Sequence, residues 1–409
     1  MSRHVMREFS PHPRYRLYTS PHSYFSPLIR TVDAVEQFEA EICRRFSVAA
    51  AVCVPMARSG IYLTLLETIR PGQRVVMSPL TIVDVVNAVL LAGGIPAFAD
   101  ICRESCGLSA DQAESLIDGN TGAVLLTHLH GQTAGAHALR EVCNRHGVPL
   151  LEDAAQAFGA CENGKPLGTF GDAGIYSFGF FKHLTTWRGG MVVSNDKQLI
   201  ARIRTRVQEL KPASWRRLMS AALSGLFVDI ATWPPLFSNV VYPIVQKNTP
   251  SIARRLDPEA GHSRLNHFPA DYLCPMRPWQ AALGLRQLDN LDTDMRSRMA
   301  HAEVYHRGLE DLPGVIRPPL SSDSSNIYTY FPVQVRNRRE VLLYSQKRAR
   351  DFAAQHLRNC ADLPEFREFY RDCPAARAAS SELVLLPTYP RYPLVEVQRN
   401  IEVLRDFFK

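Results

Sequence analysis

Short apolar runs alternate with helical patterns between residues 35 and 207. The runs are rich in Val, Ile, Leu or Ala, and they read AAAVCVP, RVVMSP, IPAFAD, GAVLLTHL, VPLLED, GIYSF and GGMVVSN. Between several of them, apolar residues recur at helical spacing, as in Ile61–Ile69, Val83–Ala92 and Ala138–His146. Near-continuous apolar strands between helices indicate an α/β fold whose mostly parallel sheet is covered on both faces. Ligands of such sheets bind just beyond the carboxyl ends of the strands.

The pattern changes after Val207. Residues 208–268 are rich in Trp, Pro, Leu and Arg, and a long helix is predicted from about Pro275. A smaller α/β part follows, with a strand in IYTYFPVQV, a helix near Glu340–Leu357, a strand in ELVLLPTY and a terminal helix Val395–Phe408. We therefore predict four parts: an N-terminal arm (1–34), a large domain (35–207), a hydrophobic insertion (208–268) and a smaller C-terminal α/β domain (269–409).

The insertion contains an amphipathic helix that begins near Trp215, because its apolar residues recur at helical spacing. Its longest uncharged stretch, Ile230–Gln246, holds three prolines and is shorter than the ~20 residues that a spanning helix needs. Residues 208–250 therefore have two interpretations. They pack against a partner subunit or the enzyme's own core, or they lie on an anionic membrane with Trp215, Trp233 and Tyr242 towards the lipid.

Composition narrows the class of protein. The apolar share of 46% and the charged share of 21% are typical of soluble globular chains. The net charge of +7 suits an anionic substrate or surface, but the absence of a long Lys/Arg run argues against nucleic acid as a partner. Nine irregularly spaced cysteines predict free thiols and no metal site. With no apolar signal segment at the N-terminus, we expect a cytoplasmic protein, peripheral at the inner face of the membrane if the insertion binds lipid.

Two residues at predicted strand ends carry candidate chemistry. Asp153 follows the run VPLL in EDAAQAFG, and Lys182 follows GIYSF in SFGFFKHL. A lysine amine that loses solvent at the edge of a sheet becomes a nucleophile towards an aldehyde. A carboxylate nearby can keep a pyridine nitrogen protonated. Each residue alone has an ordinary explanation, as a helix cap or a surface lysine, so the prediction depends on the pair.

A candidate phosphate site accompanies the pair. Ser59 and Gly60 are predicted to open a helix, and the N–H groups at a helix N-terminus bind phosphate. Ser177, five residues before Lys182, supplies a hydroxyl for the same group. An amine, a carboxylate and a phosphate site together are the parts that a phosphorylated pyridine aldehyde requires.

These blocks resemble the DegT/StrS group of nucleotide-sugar aminotransferases, which are fold type I enzymes that depend on pyridoxal 5'-phosphate (PLP). The resemblance covers residues 35–207 and from about Met276 to the C-terminus. The order and spacing of EDAAQA and SFxxxK are its most specific features. Further matching stretches are ARSGIYL, LTIVDVVNAVLLAGGIPAFADI, HLHGQTAG, GGMVVSND, WQAALGLRQLDNLD and LPTYP.

The resemblance implies a role for each matching residue. Lys182 would carry PLP as a Schiff base and move protons, Asp153 would pair with the ring nitrogen, and Gln156 would bind the phenolic oxygen of the ring. The phosphate would be held by Ser177 and by the backbone of Gly60 and Ile61. Ile82 stands where the family often places an aromatic ring over the cofactor.

Some positions depart from the family pattern. Ile61 replaces the usual Thr, and Leu273 stands near the place of an Asn that a partner subunit sends to the phosphate. His130 replaces a Tyr, and it is either a substrate contact or a structural hydrogen-bonding group. Arg188 lies in TTWRGG, where GDGG-like residues are common, and it either binds an anionic substrate group or is a solvated loop residue.

The function implied is transfer of an amino group from an amino acid, with glutamate as the expected donor, to a keto sugar, most often nucleotide-linked. A homodimer with its active site at the interface is implied as well. One alternative is a PLP- or PMP-dependent sugar dehydratase of the same fold, in one branch of which a His replaces the lysine. A second alternative is a non-catalytic, membrane-associated PLP-binding protein.

Overall fold

A seven-stranded sheet forms the centre of the protein. The computed structural model describes residues 10–17, 24, 32–133, 135–247, 263–320 and 326–409. In spatial order the strands are Ala50–Val54, Gly190–Ser194, Ala173–Ser177, Leu150–Asp153, Thr121–Thr127, Arg74–Met77 and Ile95–Phe98. Among the described residues, the strand Gly190–Ser194 pairs antiparallel with both of its neighbours in this sheet. The other pairs of neighbouring strands are parallel. Every predicted apolar run supplies one strand, so the α/β fold with a mostly parallel sheet is confirmed.

Helices cover both faces of this sheet. The helices of the large domain are Ala34–Phe46, Ala57–Thr68, Val83–Leu91, Ala110–Glu114, Ala136–His146 and Lys197–Gln208. One face buries Ile61, Val85 and Ile203 against the sheet, and the other buries Phe38 and Leu139. Because both faces are covered, the strands are apolar along their whole length, which explains their continuous runs.

The C-terminal part has a sheet of its own. Its strands are, in order, Val315–Ile316, Tyr330–Val335, Leu383–Pro387 and Ala353–Ala354. Two short pairs add to the strands, Leu80–Thr81 with Arg358–Asn359 and Cys161–Glu162 with Lys165–Pro166. The remaining helices here are Pro278–Leu288, Leu291–Gly308, Arg338–Lys347, Pro374–Glu382 and Leu394–Phe408. Ala281 and Leu288 pack in the core of the large sheet, and the predicted boundary at residue 269 stays a prediction.

Two helix predictions for this part need correction. The single long helix expected from about Pro275 is two helices, because the chain breaks at Asp289 and Asn290, and residues of these types compete with helix by bonding the local backbone. The helix expected over 340–357 ends at Lys347. Ala349 has a φ of 59°, which a continuing helix does not allow, and residues 353–359 include two short strands instead.

The insertion is largely helical in its described part. The helix Trp215–Ala231 is followed by the short helices Pro234–Leu236 and Tyr242–Lys247, with a π-helical turn at Phe237–Val241 between them. Within the described residues, every helix is too short or too polar to span a bilayer. The inner side of helix Trp215–Ala231 packs on Trp187, since a Cβ added to Gly225 would lie 3.2 Å from its indole nitrogen.

Candidate active site

Lys182 lies in the loop that follows the strand Ala173–Ser177. Its carbonyl accepts a hydrogen bond from the Tyr15 hydroxyl at 3.0 Å, and the Tyr15 ring packs edge-on against Phe181. Phe181 has a φ of 62°, an uncommon backbone geometry for a bulky residue. Loss of solvent around the amine lowers the pKa of Lys182 to about 8, although the carboxylate of Asp153 acts in the opposite direction. The lysine is therefore suited to react as a neutral amine.

Asp153 ends the neighbouring strand, Leu150–Asp153. Its side chain is buried, and Oδ1 accepts a hydrogen bond from the N–H of Ala155 at 3.0 Å. Burial raises the pKa of Asp153, while the bond from Ala155 and the charge of Lys182 act to lower it. Because each charge acts on the other, the structure brings together the two residues that the sequence placed at strand ends.

Glu152 holds the backbone around Asp153. This fully buried carboxylate accepts hydrogen bonds from His128 Nε2 at 2.9 Å, from the N–H of Gly168 at 2.8 Å and from the N–H of Gly171 at 2.6 Å. The backbone N–H of His128 donates to the backbone carbonyl of Asp153 at 3.0 Å. Sequence analysis missed this support, although an acidic residue inside the apolar run VPLLED was a visible signal.

Gln156 is oriented by the backbone of His130. The N–H of His130 donates to Gln156 Oε1 at 3.0 Å, which leaves the amide NH₂ as the group able to donate to an acceptor such as a phenolic oxygen. The His130 ring is itself buried, and its Nε2 lies 2.6 Å from Nε2 of Gln355. Burial lowers the pKa of His130 to about 3, so the ring is neutral. These contacts favour the structural interpretation of His130 over a substrate contact.

The start of helix Ala57–Thr68 corrects one part of the predicted phosphate site. The N–H of Gly60 donates to the carbonyl of Met56 at 2.9 Å, so Gly60 and Ile61 lie within the helix. The N–H groups without an intrahelical partner are those of Ala57, Arg58 and Ser59. Gly60 serves packing instead, because a Cβ there would lie 3.1 to 3.2 Å from side chains of the sheet.

Ser177 and Ile82 each lie at the end of an element, and their contacts with the cofactor stay predictions. Ser177 ends the strand Ala173–Ser177 and pairs with Gly190 across the sheet, and a Cβ on Gly190 would lie 2.8 Å from the N atom of Ala57. The strand end that carries Ser177 is therefore next to the helix N-terminus. Ile82 is half-buried at the start of helix Val83–Leu91, and its contact with a cofactor ring stays a prediction.

A charged cluster borders the same region. Arg58 forms an ion pair with buried Asp84 and donates to the hydroxyl of Tyr272 at 3.1 Å. Sequence analysis missed all three residues, although Asp84 is a visible charge in the apolar run VDVVNAVLL. The Arg188 side chain lies 3.9 Å from Asp271, and Arg217 binds the same carboxylate at 2.5 Å. Two arginines on one carboxylate leave a positive rim beside the site.

The donor set fits PLP. It offers an amine with a lowered pKa, a buried carboxylate, an amide NH₂, a hydroxyl and a helix N-terminus, which match the aldehyde, ring nitrogen, phenolic oxygen and phosphate of that cofactor. Among the described residues, no group of three or more His, Cys, Asp or Glu side chains is arranged to hold a metal ion.

Comparison with known proteins identifies the family of the chain. The model of the DegT/DnrJ/EryC1/StrS aminotransferase family matches residues 26–225 and 259–405. The chain is 27% identical to the spore coat polysaccharide biosynthesis protein SpsC of Bacillus subtilis, over 92% of this chain and 90% of that protein. It is 36% identical to GDP-perosamine synthase of Vibrio cholerae, over 41% of this chain and 46% of the relative.

Solved structures share the fold. The sugar aminotransferase CalS13 from Micromonospora echinospora has a TM-score of 0.76 at 21% identity, over 96% of this chain and 99% of that one. DesI, solved with its TDP-sugar product, has a TM-score of 0.73 at 23% identity, over 97% and 92% of the two chains. The chain therefore belongs to the DegT/DnrJ/EryC1/StrS family of PLP-dependent aminotransferases.

Proposed function

We propose that this aminotransferase moves an amino group from an amino acid, with glutamate as the expected donor, to a keto sugar carried on a nucleotide. The observation that carries the proposal is that Asp153 and Lys182 follow two paired strands of the sheet, where the charge of each acts on the pKa of the other. The choice of substrate class is supported by relatives whose names specify GDP-perosamine synthesis and polysaccharide biosynthesis. Biosynthesis of an amino sugar, for a polysaccharide or a natural product, is the corresponding role.

Each residue of the site has a separate role towards the cofactor or the substrate. Bound PLP supplies an aldehyde that binds amines and a ring that withdraws electrons from the substrate carbon. The amine of Lys182 would take a proton from the carbon of the amino donor and would later deliver a proton to the sugar carbon that receives the amino group, which its pKa of about 8 favours near neutral pH. Asp153, as a carboxylate, keeps the ring nitrogen protonated. Gln156, oriented by the N–H of His130, would donate to the phenolic oxygen of the ring.

The positive rim suits a nucleotide carrier. Arg188 and Arg217 share the single carboxylate of Asp271, and the side chain of Arg188 is 38% exposed, so its guanidinium is accessible to a ligand. Arginine forks bind phosphate oxygens bidentately. We assign the diphosphate of a sugar nucleotide to this rim, with Arg188 as the substrate contact.

The two alternatives are less well supported. The dehydratase branch that the sequence suggested carries a His in place of the Schiff-base lysine, whereas here Lys182 is present. The neighbouring His183 is buried and shares a hydrogen bond with the hydroxyl of Thr329 at 3.1 Å, so its ring has a structural role. A non-catalytic PLP-binding protein would not require a lysine with a lowered pKa beside a buried carboxylate.

We propose a cytoplasmic homodimer whose active sites lie at the interface. The outer face of helix Trp215–Ala231 exposes four large apolar side chains, Leu223, Leu226, Phe227 and Ile230. A face of this kind is typical of permanent interfaces. Contact with a membrane is the rival explanation, but Tyr242, one of its three expected aromatics, is buried and donates to the carbonyl of Gln346. The Trp215 side chain lies outside the described part of the structure. Of the other two aromatic residues, only Trp233 is exposed.

A substrate screen tests the proposed function. Purified enzyme with PLP and glutamate is incubated with a panel of nucleotide-linked keto sugars, free keto sugars and other carbonyl compounds, and products are detected by mass. We expect an aminated nucleotide sugar together with an equal amount of 2-oxoglutarate. Release of water from the sugar without gain of nitrogen would instead identify a dehydratase. Lys182→Ala is the matched control and yields no product.

A further inference from the structure

Arg58 is a fixed guanidinium with an unused edge. Its Nη1 binds the carboxylate of Asp84 and the hydroxyl of Tyr272, and its guanidinium carbon lies 4.9 Å from the centre of the Tyr272 ring. The Tyr272 hydroxyl also donates to Asp84 at 3.0 Å, which closes the cluster. Nη2 and Nε form no hydrogen bond to any residue that the structure describes. A guanidinium that is held on one side presents its other donors as a fork for an anion.

The unused edge lies at the cofactor site. The charge of Arg58 acts on both Lys182 and Asp153, which places it close to both residues. Arg58 is the second residue of the helix Ala57–Thr68, whose first-turn N–H groups have no intrahelical partner. This helix start lies against Gly190, the cross-strand partner of Ser177. An anion there would meet a helix N-terminus, a hydroxyl and a guanidinium together.

The sequence also lacks two of the contacts that such a phosphate would otherwise receive. Ile61 has no hydroxyl group to donate, and Leu273 has no amide group. Both losses are neutral hydrogen bonds, whereas Arg58 offers charge-assisted ones, which are roughly twice as strong. Asp84 keeps the guanidinium in place, because a buried charge without a partner is costly.

We propose that Arg58, held by Asp84 and Tyr272, binds the phosphate group of the cofactor; the proposal rests on the assignment of this site to PLP. Asp84 and Tyr272 are positioning residues that do not touch the phosphate. The exposed Arg188 nearby serves the substrate and not the cofactor.

The test compares two forms of the cofactor that differ only in the phosphate. Apoprotein is titrated with PLP and with pyridoxal, and the dissociation constants are read from the absorbance of the lysine-bound form. Arg58→Gln is expected to weaken PLP about tenfold to a hundredfold, as loss of charge-assisted bonds does, and to leave pyridoxal unchanged. Arg58→Lys recovers part of the affinity, because lysine keeps the charge but not the fork.

Three controls keep the result decisive. Arg58→Gln leaves Asp84 buried without its partner, so Arg58→Gln combined with Asp84→Asn is measured in parallel, with circular dichroism to confirm folding. Arg44→Gln removes an equal charge at an exposed position outside the site and is expected to leave the PLP constant unchanged. Equal loss of affinity for PLP and pyridoxal in the double variant, or no loss for PLP, overturns the proposal.

Two further outcomes separate this proposal from the proposed function. If Arg58→Gln leaves PLP binding intact but weakens the binding of glutamate or of a sugar nucleotide, the anion belongs to a substrate and the phosphate assignment is wrong. If the wild-type protein binds PLP through Arg58 but aminates no sugar in the screen, the phosphate site holds and the proposed function fails.

Discussion

The amine of Lys182 has a pKa of about 8 because the pocket around it removes solvent, and the carboxylate of Asp153 limits the shift. An unperturbed lysine has a pKa near 10.4. Since only the neutral amine attacks an aldehyde, a lowered pKa moves the reactive range towards neutral pH. The pocket and the carboxylate of Asp153 therefore have opposing effects on the reactivity of Lys182. Asp153 thus acts on the lysine as well as on the ring nitrogen.

This opposition predicts a pH profile. The rate at which apoprotein forms its covalent bond with PLP should rise with pH and level off with a midpoint near 8, followed by stopped-flow absorbance. Asp153→Asn should move the midpoint to lower pH, because the carboxylate that raises the pKa of Lys182 is gone. Lys197→Ala, at an exposed position, is the control and should leave the profile unchanged. A midpoint near the ordinary lysine value, or an upward shift in Asp153→Asn, would contradict the account.

Single residues differ in how far the sequence revealed them. Lys182, Asp153 and Ser177 were predictable because each lies at the end of an apolar run, and parallel strands bring such ends together. Arg58 and Tyr272 were not, because the bond between them joins positions 214 residues apart and no periodicity predicts such a contact. The backbone of Gly60 was misassigned for a related reason, since the helix begins at Ala57, two residues before the predicted start at Ser59.

At the scale of elements, Glu152 connects a strand to the turn that follows it. It accepts hydrogen bonds from two turn N–H groups and from His128, all of which would be left without this partner if the carboxylate were removed. Unsatisfied buried donors cost about 1–3 kcal/mol each. The arrangement holds the turn at residues 168–171 against the strand that carries Asp153.

We therefore expect Glu152→Ala to lower the free energy of unfolding by about 3 kcal/mol or more, measured by urea denaturation. Glu141→Ala, at a carboxylate that is 60% exposed, should change it by less than about 0.5 kcal/mol. Similar stability of the two variants would show that Glu152 does not hold the turn.

Helices and strands were predicted well where the spacing of apolar residues allowed one type of element. All seven strands of the large sheet follow from their apolar runs, because burial on both faces leaves no polar alternation to confuse them. The break between Leu288 and Leu291 was missed, since those leucines keep helical spacing across it. The strands after Ala349 were missed as well, because two-residue strands are too short to show a period.

For the whole molecule, the proposed homodimer depends on the exposed face of helix Trp215–Ala231. Its inner side packs on Trp187, in the loop that follows Lys182, so the apolar outer side lies close to the active site. A partner subunit on this face would bury surface next to the catalytic loop. The sequence predicted an amphipathic helix here, but periodicity alone does not tell which side faces the core.

The proposed dimer makes a prediction about this face. Leu223→Asp with Leu226→Asp should convert the dimer to monomer in light scattering, because the interface would then bury two charges. Leu343→Asp changes an exposed leucine on another helix and should leave the dimer intact. A wild-type monomer would contradict the proposal. So would a double variant that stays dimeric but no longer co-sediments with anionic vesicles as the wild type does, an outcome that would assign the face to a membrane.

The central claim is that Lys182 carries PLP in a working aminotransferase, and reductive trapping tests it most directly. Enzyme loaded with PLP is reduced with borohydride, digested and mapped by mass spectrometry, with and without prior addition of excess glutamate. The account predicts one pyridoxyl-labelled peptide, containing Lys182, whose label falls sharply when glutamate is added first, because the amino donor displaces the lysine. Label on another lysine, or label at Lys182 that glutamate does not reduce, would contradict it.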